Sequence, residues 1–216
     1  MAEARVPALF IATKNAGKLV EFGELLAAYG VATRRYERYA DVAEGERSYA
    51  ENAGLKARAL RTQLVADGIV GDVLADDSGL EIEALAGRPG VVSARYGGPD
   101  VSWSQRRALL VAELDATGDA ARRAAFVCAL HLVAADGRER TAWGRCEGRL
   151  VSIERGNGGF SYDAIFVPEG ELVTFAEMSG VQKNETSHRA QALRALFGTA
   201  ASESRQNRVS SFGGGT

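Results

Sequence analysis

The 216-residue chain has only two cysteines, Cys128 and Cys146, and two histidines. The cysteines stand at no metal-like spacing, in apolar or mixed surroundings. That pattern excludes a zinc module and favours free structural thiols in a cytosolic protein over a disulfide. No apolar run approaches the ~20 residues that a membrane span needs. The first residues carry an early acid and one short apolar stretch, Ala8 to Ala12, unlike a secretory signal. The expectation is a soluble, cytoplasmic protein. Neither charge sign dominates: 26 Lys and Arg against 28 Asp and Glu leave a net charge of −2. No basic excess announces nucleic acid or a membrane as partner. There is no internal repeat.

What is present is ordinary for a globular chain, 46% hydrophobic and 25% charged. The length predicts one domain, or one domain with two lobes. Val6 to Ala12 reads as a strand, followed by a tight turn. A helix then carries Leu19, Phe22, Leu25, Leu26 and Tyr29 at helical spacing up to a stop at Gly30. Ser48-Tyr49-Ala50-Glu51 has the form of a capping box and opens a second helix to about Ala66, with Tyr49, Ala53, Leu60 and Leu64 on one side. Ser102 to Gln105 repeats that logic for a third helix through about Leu114. Val73 to Gly79 reads as a short buried strand ending in acids. Ala124 to Ala135 and Glu139 to Glu147 read as a hairpin turning at Asp136-Gly137. A strand at Ala164 to Val167 and a last helix from Thr186 to Phe197 complete the pattern. The tail from Ala200 is predicted to be disordered. Strands mixed with helices, one hairpin among them, indicate an α/β fold with a mixed sheet.

Several places could carry chemistry. Thr13 to Lys18 lies where a strand hands over to a helix start, whose free amides and dipole favour an anion. An Asx-type turn with a surface lysine describes it equally well. It is not the Gly-x-x-x-x-Gly-Lys phosphate loop. Asp76 and Asp77 offer hard oxygens to a metal and a base to water, or else form a solvated acidic turn. Side chains diverge along a strand, so one acid should face a cleft and the other support the turn. Glu51 has a ready role as capping partner, and Lys56 can equally be an exposed helix lysine. Gly158 to Asp163 suits a loop that stacks a flat ring, or a turn that leads two aromatics into the core. Lys183, His188 and Arg189 surround a helix start, where cations are disfavoured unless an anion or acid is near. His131 falls in an apolar strand and reads as a core or sheet-face residue. No nucleophile signature supports a Ser-His-Asp hydrolase.

Taken in order, these segments form a recognisable set. It comprises Thr13-x-Asn15-x-x-Lys18-x-x-Glu21, Glu51-Asn52-Ala53-x-x-Lys56-Ala57, Ala75-Asp76-Asp77-Ser78-Gly79-Leu80, Pro89-Gly90-x-x-Ser93-Ala94-Arg95, Gly159-Phe160-x-Tyr162-Asp163 and Ser187-His188-Arg189. Together they closely resemble the inosine triphosphate pyrophosphatase family, from about Leu9 to Phe197. The resemblance implies an elongated, two-lobed mixed-sheet α/β fold with a central cleft. It implies a single domain over residues 1–199, with 200–216 as a tail, and a homodimer. The implied activity is Mg²⁺-dependent hydrolysis of ITP, dITP and XTP to the monophosphate and pyrophosphate, which clears these nucleotides from the pool that feeds DNA and RNA.

Carried over by position, Thr13, Lys14, Asn15, Ala16, Gly17 and Lys18 would cradle the triphosphate. Lys56 would be directed at phosphate or at the acids. Asp77 would be metal ligand and general base, and Ser78 a substrate contact. Phe160, Ser161, Tyr162 and Asp163 would hold base and sugar. Lys183 would meet phosphate, and His188 and Arg189 the purine edge. A second metal-binding acid is expected before the second helix, where Glu44 is favoured over Glu46, with Glu51 a further contender. Ser161 departs from the glycine usual in bacterial members and sets a side chain beside the base.

Overall fold

The computed structural model describes residues 9–198, so the expected start of the first strand before Leu9 and the tail from Ala200 lie outside the described residues. One mixed sheet runs through the molecule. Its strands are β1 (Leu9–Ile11), β2 (Thr33–Arg34), β3 (Asp72–Ile82), β4 (Arg123–Val133), β5 (Glu139–Leu150) and β6 (Phe166–Pro168). They lie in the order β2-β1-β3-β4-β5-β6. The β1 strand pairs parallel to β2 and β3, and the remaining pairs are antiparallel. The helices are α1 (Ala16–Ala27), α2 (Tyr49–Ala66), α3 (Trp103–Ala116), α4 (Gly180–Thr186) and α5 (His188–Phe197).

The expected hairpin joins β4 to β5. Gly137 takes φ +87°, and Ala134 N–H donates to the Arg138 carbonyl at 2.8 Å. Serine caps act where the spacing placed them. Ser102 and Gln105 exchange both bonds of a capping box. Ser48 accepts the Glu51 amide, but no return bond from the Glu51 side chain forms, so that box is half made. The expected last helix is α5, and a short helix that the spacing did not signal, α4, precedes it. A further box, Ser179 with Gln182, opens α4, and Ser187 both ends α4 and caps α5.

The larger correction concerns β3. The expected short strand ending in acids runs on for 11 residues and carries Asp76 and Asp77 in its middle. Aspartate and glycine are poor strand formers. A continuous antiparallel register with β4, from Val73–Val133 to Ile82–Ala124, overrides that preference.

The apolar core divides at these acids. At one end of β3, Leu74 packs with Phe22 and Leu26 of α1 and Leu193 of α5. On the opposite face there, Val73 and Ala75 pack with Leu60 and Leu64 of α2. At the other end, Leu80 and Ile82 join Leu110 and Leu114 of α3, Phe126, Tyr162 and Phe166. Each fully buried leucine or phenylalanine contributes about 1.5–3 kcal/mol, so the two ends hold the sheet while its middle stays polar. Cys128 and Cys146 are buried and unpaired. His131 lies on the sheet face, bonded to Thr141 and Glu139 at 2.9 Å each. Among the described residues no helix is long and apolar enough to cross a membrane.

Candidate active site

The polar middle of β3 opens onto a cavity of about 190 Å³. Because strand side chains alternate, Asp76 and Asp77 face opposite sides of the sheet. Neither supports a turn. Asp76 is 1% exposed, and its Oδ2 meets Lys18 Nζ at 2.9 Å and Arg189 Nε at 3.3 Å. Ser78 Oγ donates to the same oxygen at 3.0 Å. Burial by itself would raise the Asp76 pKa; the charges of Lys18, Arg189 and Lys56 outweigh it and hold the carboxyl below the ordinary range. On the other face, Asp77 Oδ1 meets Lys56 Nζ at 3.2 Å and its Oδ2 accepts from Asn52 Nδ2 at 2.9 Å. Here burial prevails over Lys56 and Asn52, and the Asp77 pKa is raised.

Lys56 is buried, not an exposed helix lysine. It sits in the stripe formed by Tyr49, Ala53, Leu60 and Leu64, so its position on the inner face of α2 was legible in the helical spacing. Its Nζ also meets Glu44 Oε1 at 2.8 Å. Burial opposes its charge, but Asp77, Asp76 and Glu44 together raise its pKa. Of the three competing acids, Glu44 lies in the cavity wall, whereas Glu46 and Glu51 are exposed outside it. Among the described residues no group of three or more His, Cys, Asp or Glu converges on a metal position. Of the acids lining the cavity, Glu44 and Asp77 are the two brought together by Lys56. That donor set fits Mg²⁺, which is held by one or two carboxylates and completes its shell with phosphate oxygens and water.

The helix start behaves as the spacing implies. Asn15 caps α1, its Oδ1 accepting the Lys18 amide at 3.1 Å, and Thr13 Oγ1 accepts the Asn15 amide at 3.1 Å. The remaining amides of the first turn have no partner within the helix. Thr13, Lys14, Asn15 and Lys18 line the cavity; Ala16 and Gly17 do not. Gly17 has a steric role instead. A Cβ there would stand 2.7 Å from the Phe160 ring, so the absence of a side chain lets that ring lie over the turn.

Phe160 to Asp163 forms the opposite wall. The Phe160 ring is half-buried, and Ser161 takes φ +62°, a left-handed conformation. Tyr162 is fully buried, stacks edge-on against Trp103 and donates its hydroxyl to the Ser93 carbonyl at 2.9 Å. Asp163 accepts the Phe160 amide at 2.8 Å and Lys183 Nζ at 2.8 Å, so its Oδ2 braces the loop. The expected phosphate contact of Lys183 finds no support in this geometry. The lysine is buried behind the Phe160 ring, 3.5 Å from Glu21 and paired with Asp163, and is not in the cavity wall.

His188 and Arg189 open α5. The cations expected to be disfavoured there have their acids: Arg189 Nη1 meets Glu21 at 3.1 Å, and its Nη2 donates to Ser78 Oγ at 2.8 Å. His188 carries no charge. Burial, then Arg189 and Lys183, push its pKa well below the ordinary value. Its ring stacks on Phe126 at 4.7 Å and 9°, and neither ring nitrogen has a partner. A buried imidazole in a cavity wall with both nitrogens unpaired is suited to a ligand that offers a hydrogen-bonding edge.

The sequence reading assigned no role to Asn52, Glu21 or Arg95. All three stood inside the quoted motifs, and Asn52 lies one turn from Lys56, on the same helix face. Arg95 donates to the Gly45 carbonyl at 2.9 Å, a contact between distant segments that no local pattern signals.

The Ham1 family model matches residues 9–199. A dITP/XTP pyrophosphatase of Geobacillus kaustophilus is 44% identical over 192 residues, covering 87% of this chain and 91% of the relative. One from Streptomyces coelicolor is 42% identical over 193 residues, covering 87% and 94%. Among solved structures, a Ham1 protein from Coxiella burnetii aligns with TM-score 0.73 at 34% identity, over 88% of this chain and 96% of that one. A nucleoside-triphosphatase, also titled dITP/XTP pyrophosphatase, from Mycobacterium abscessus aligns with TM-score 0.66 at 38% identity, over 89% and 100%.

Proposed function

This chain belongs to the Ham1 family, and we propose that it hydrolyses the non-standard purine nucleotides ITP, dITP and XTP to the monophosphate and pyrophosphate, clearing them from the pool that supplies DNA and RNA synthesis. It is a nucleoside triphosphate pyrophosphatase. One observation carries the reading: a lysine-bearing helix start, the Glu44–Lys56–Asp77 set and the unpaired imidazole of His188 line one cavity.

A triphosphate brings about four negative charges near neutral pH, and Lys18 and Lys56 approach the cleft from opposite faces of the sheet. The Asn15–Lys18 turn binds the phosphates through its amides and the Lys18 ammonium. Glu44 and Asp77 would hold Mg²⁺, which supplies charge neutralisation and orientation at the phosphate oxygens. Asp77 accepts a proton from the attacking water. The water oxygen bonds to phosphorus, the bond between the α- and β-phosphates breaks, and pyrophosphate departs against the lysines. Burial raises the basicity of the Asp77 carboxylate and so favours that transfer.

The base lies against Phe160 with its edge toward His188 and Arg189. Arg189 has donors only, so it pairs with a 6-oxo oxygen and not with the 6-amino group of adenine. We further propose a cytoplasmic homodimer. The open face of β5 supports it: Trp143 is half-exposed there, and Arg145 alternates with Glu147, offering both charge signs to a second copy.

The test is product analysis with Mg²⁺ on ITP, XTP, ATP, GTP and UTP offered separately, resolving pyrophosphate from phosphate. Pyrophosphate and monophosphate from ITP and XTP, with little from ATP or GTP, are expected. Phosphate release, or turnover confined to UTP or standard purines, overturns the reading. Light scattering tests the dimer.

A further inference from the structure

Asn52 is 1% exposed and uses its amide in three directions. Its Oδ1 accepts the Gly45 N–H at 2.8 Å, and its Nδ2 donates to the Gly45 carbonyl at 3.1 Å and to Asp77 Oδ2 at 2.9 Å. Both amide hydrogens are therefore engaged. One turn further along α2, Lys56 also reaches Asp77, at 3.2 Å, and joins it to Glu44, the residue before Gly45, at 2.8 Å. Residues four apart share a helix face, so α2 presents a neutral and a charged bridge side by side.

The two bridges differ in kind. Lys56 is a point charge, and any phosphate or cation entering the cleft competes for it or for its carboxylates. Asn52 leaves the Glu44 carboxylate and Asp77 Oδ1 untouched. It grips the main chain beside Glu44 and only the far oxygen of Asp77. Arg95 donates to the same Gly45 carbonyl at 2.9 Å and approaches Glu44 Oε2 at 3.5 Å.

We infer that Asn52 is a positioning residue that sets the separation of the Glu44 and Asp77 carboxylates, and thereby the affinity of this site for a divalent cation. The inference rests on the proposed use of those two acids. An amide is required because the position must accept from an N–H while donating to a carbonyl and a carboxylate. Asn52→Asp keeps the size but has no donor, and it turns both donated bonds into repulsions.

The experiment measures Mn²⁺ binding to the full chain by electron paramagnetic resonance, with inorganic pyrophosphate present, and separately the Mg²⁺ dependence of ITP hydrolysis. For Asn52→Asp, both midpoints should rise by about tenfold, as for other groups that orient metal ligands. The KM for ITP at saturating Mg²⁺ should stay within about threefold. A folded Asn52→Asp with unchanged Mn²⁺ binding overturns the inference, even if its melting temperature and kcat fall, since a purely structural role would move only those. Asn52→Ala removes all three bonds of the amide without adding a charge beside Glu44 or Asp77, and decides the matter if Asn52→Asp does not fold. A rise in its Mn²⁺ midpoint supports the inference, and no change overturns it. Wild-type Mn²⁺ binding without ITP turnover would defeat the proposed reaction and leave the inference standing; no wild-type Mn²⁺ binding would defeat the inference.

Discussion

Gly144 of β5 lies directly under the first turn of α5, so close that a Cβ on it would overlap the His188 carbonyl oxygen and the Ala192 amide nitrogen. The helix that carries His188 and Arg189 into the cleft is thus seated on bare backbone. Gly144→Ala should push α5 away from the sheet and cost about 1–3 kcal/mol of stability. The KM for ITP should rise more than kcat falls, because the base-side residues move while Asp77 stays. Thermal melts and steady-state kinetics check this, and an unchanged KM would mean that α5 tolerates the shift.

Replacing Asp77 by asparagine keeps the shape of the side chain and removes the proton acceptor together with the anionic partner of Lys56. The kcat at saturating Mg²⁺ should fall by about 10²–10⁴-fold, the usual contribution of a general base. Activity within tenfold of wild type would remove Asp77 from that role.

His188 makes stability depend on pH on the acid side. Its folded pKa is depressed by burial, then by Arg189 and Lys183, with Asp76 opposing. Below about pH 6.5 the unfolded chain binds a proton at this imidazole that the folded chain does not. The contribution is therefore intact above that pH and is lost as the pH falls from there. Its slope approaches about 1.4 kcal/mol per pH unit. Urea melts of wild type and His188→Gln between pH 7.5 and 5 should diverge in this sense; parallel curves would show that the imidazole is not kept neutral.

Ser161 holds φ +62°, and its carbonyl accepts from Arg107 Nη1 at 2.7 Å. A non-glycine residue in this region costs about 1–2 kcal/mol. Ser161→Gly should therefore raise stability by about 1 kcal/mol while narrowing the preference for ITP over GTP, since it removes a side chain beside the base. Melting temperature and the ratio of the two kcat/KM values are the readouts.

Both thiols should resist an aromatic disulfide reagent at pH 8 until the chain unfolds. Burial raises the Cys128 pKa and, at Cys146, pushes it up to about 12, so neither is a thiolate in the native protein. Rapid labelling of the folded protein would contradict the packing around them.

Features that depend on neighbouring residues were legible in the sequence. Ser102 and Ser187 cap helices, Gly137 turns the hairpin, and Asn15 closes the turn before Lys18, because each satisfies backbone groups within a few positions. The order of the motifs led to the family, and a hairpin among strands and helices to the mixed sheet. Tertiary structure alone decided the rest. Two aspartates, read locally, should end a strand; ten register pairs with β4 carry it through them and send Asp76 and Asp77 to opposite faces. Only then do Lys18 and Arg189 meet one acid while Lys56 and Asn52 meet the other. Lys183, expected beside a helix start and in contact with phosphate, is buried because Asp163 and Glu21 meet it from distant segments. A buried charge persists only where an opposite charge has been brought to it, and that pairing is made by the folded chain and not by the spacing of its residues.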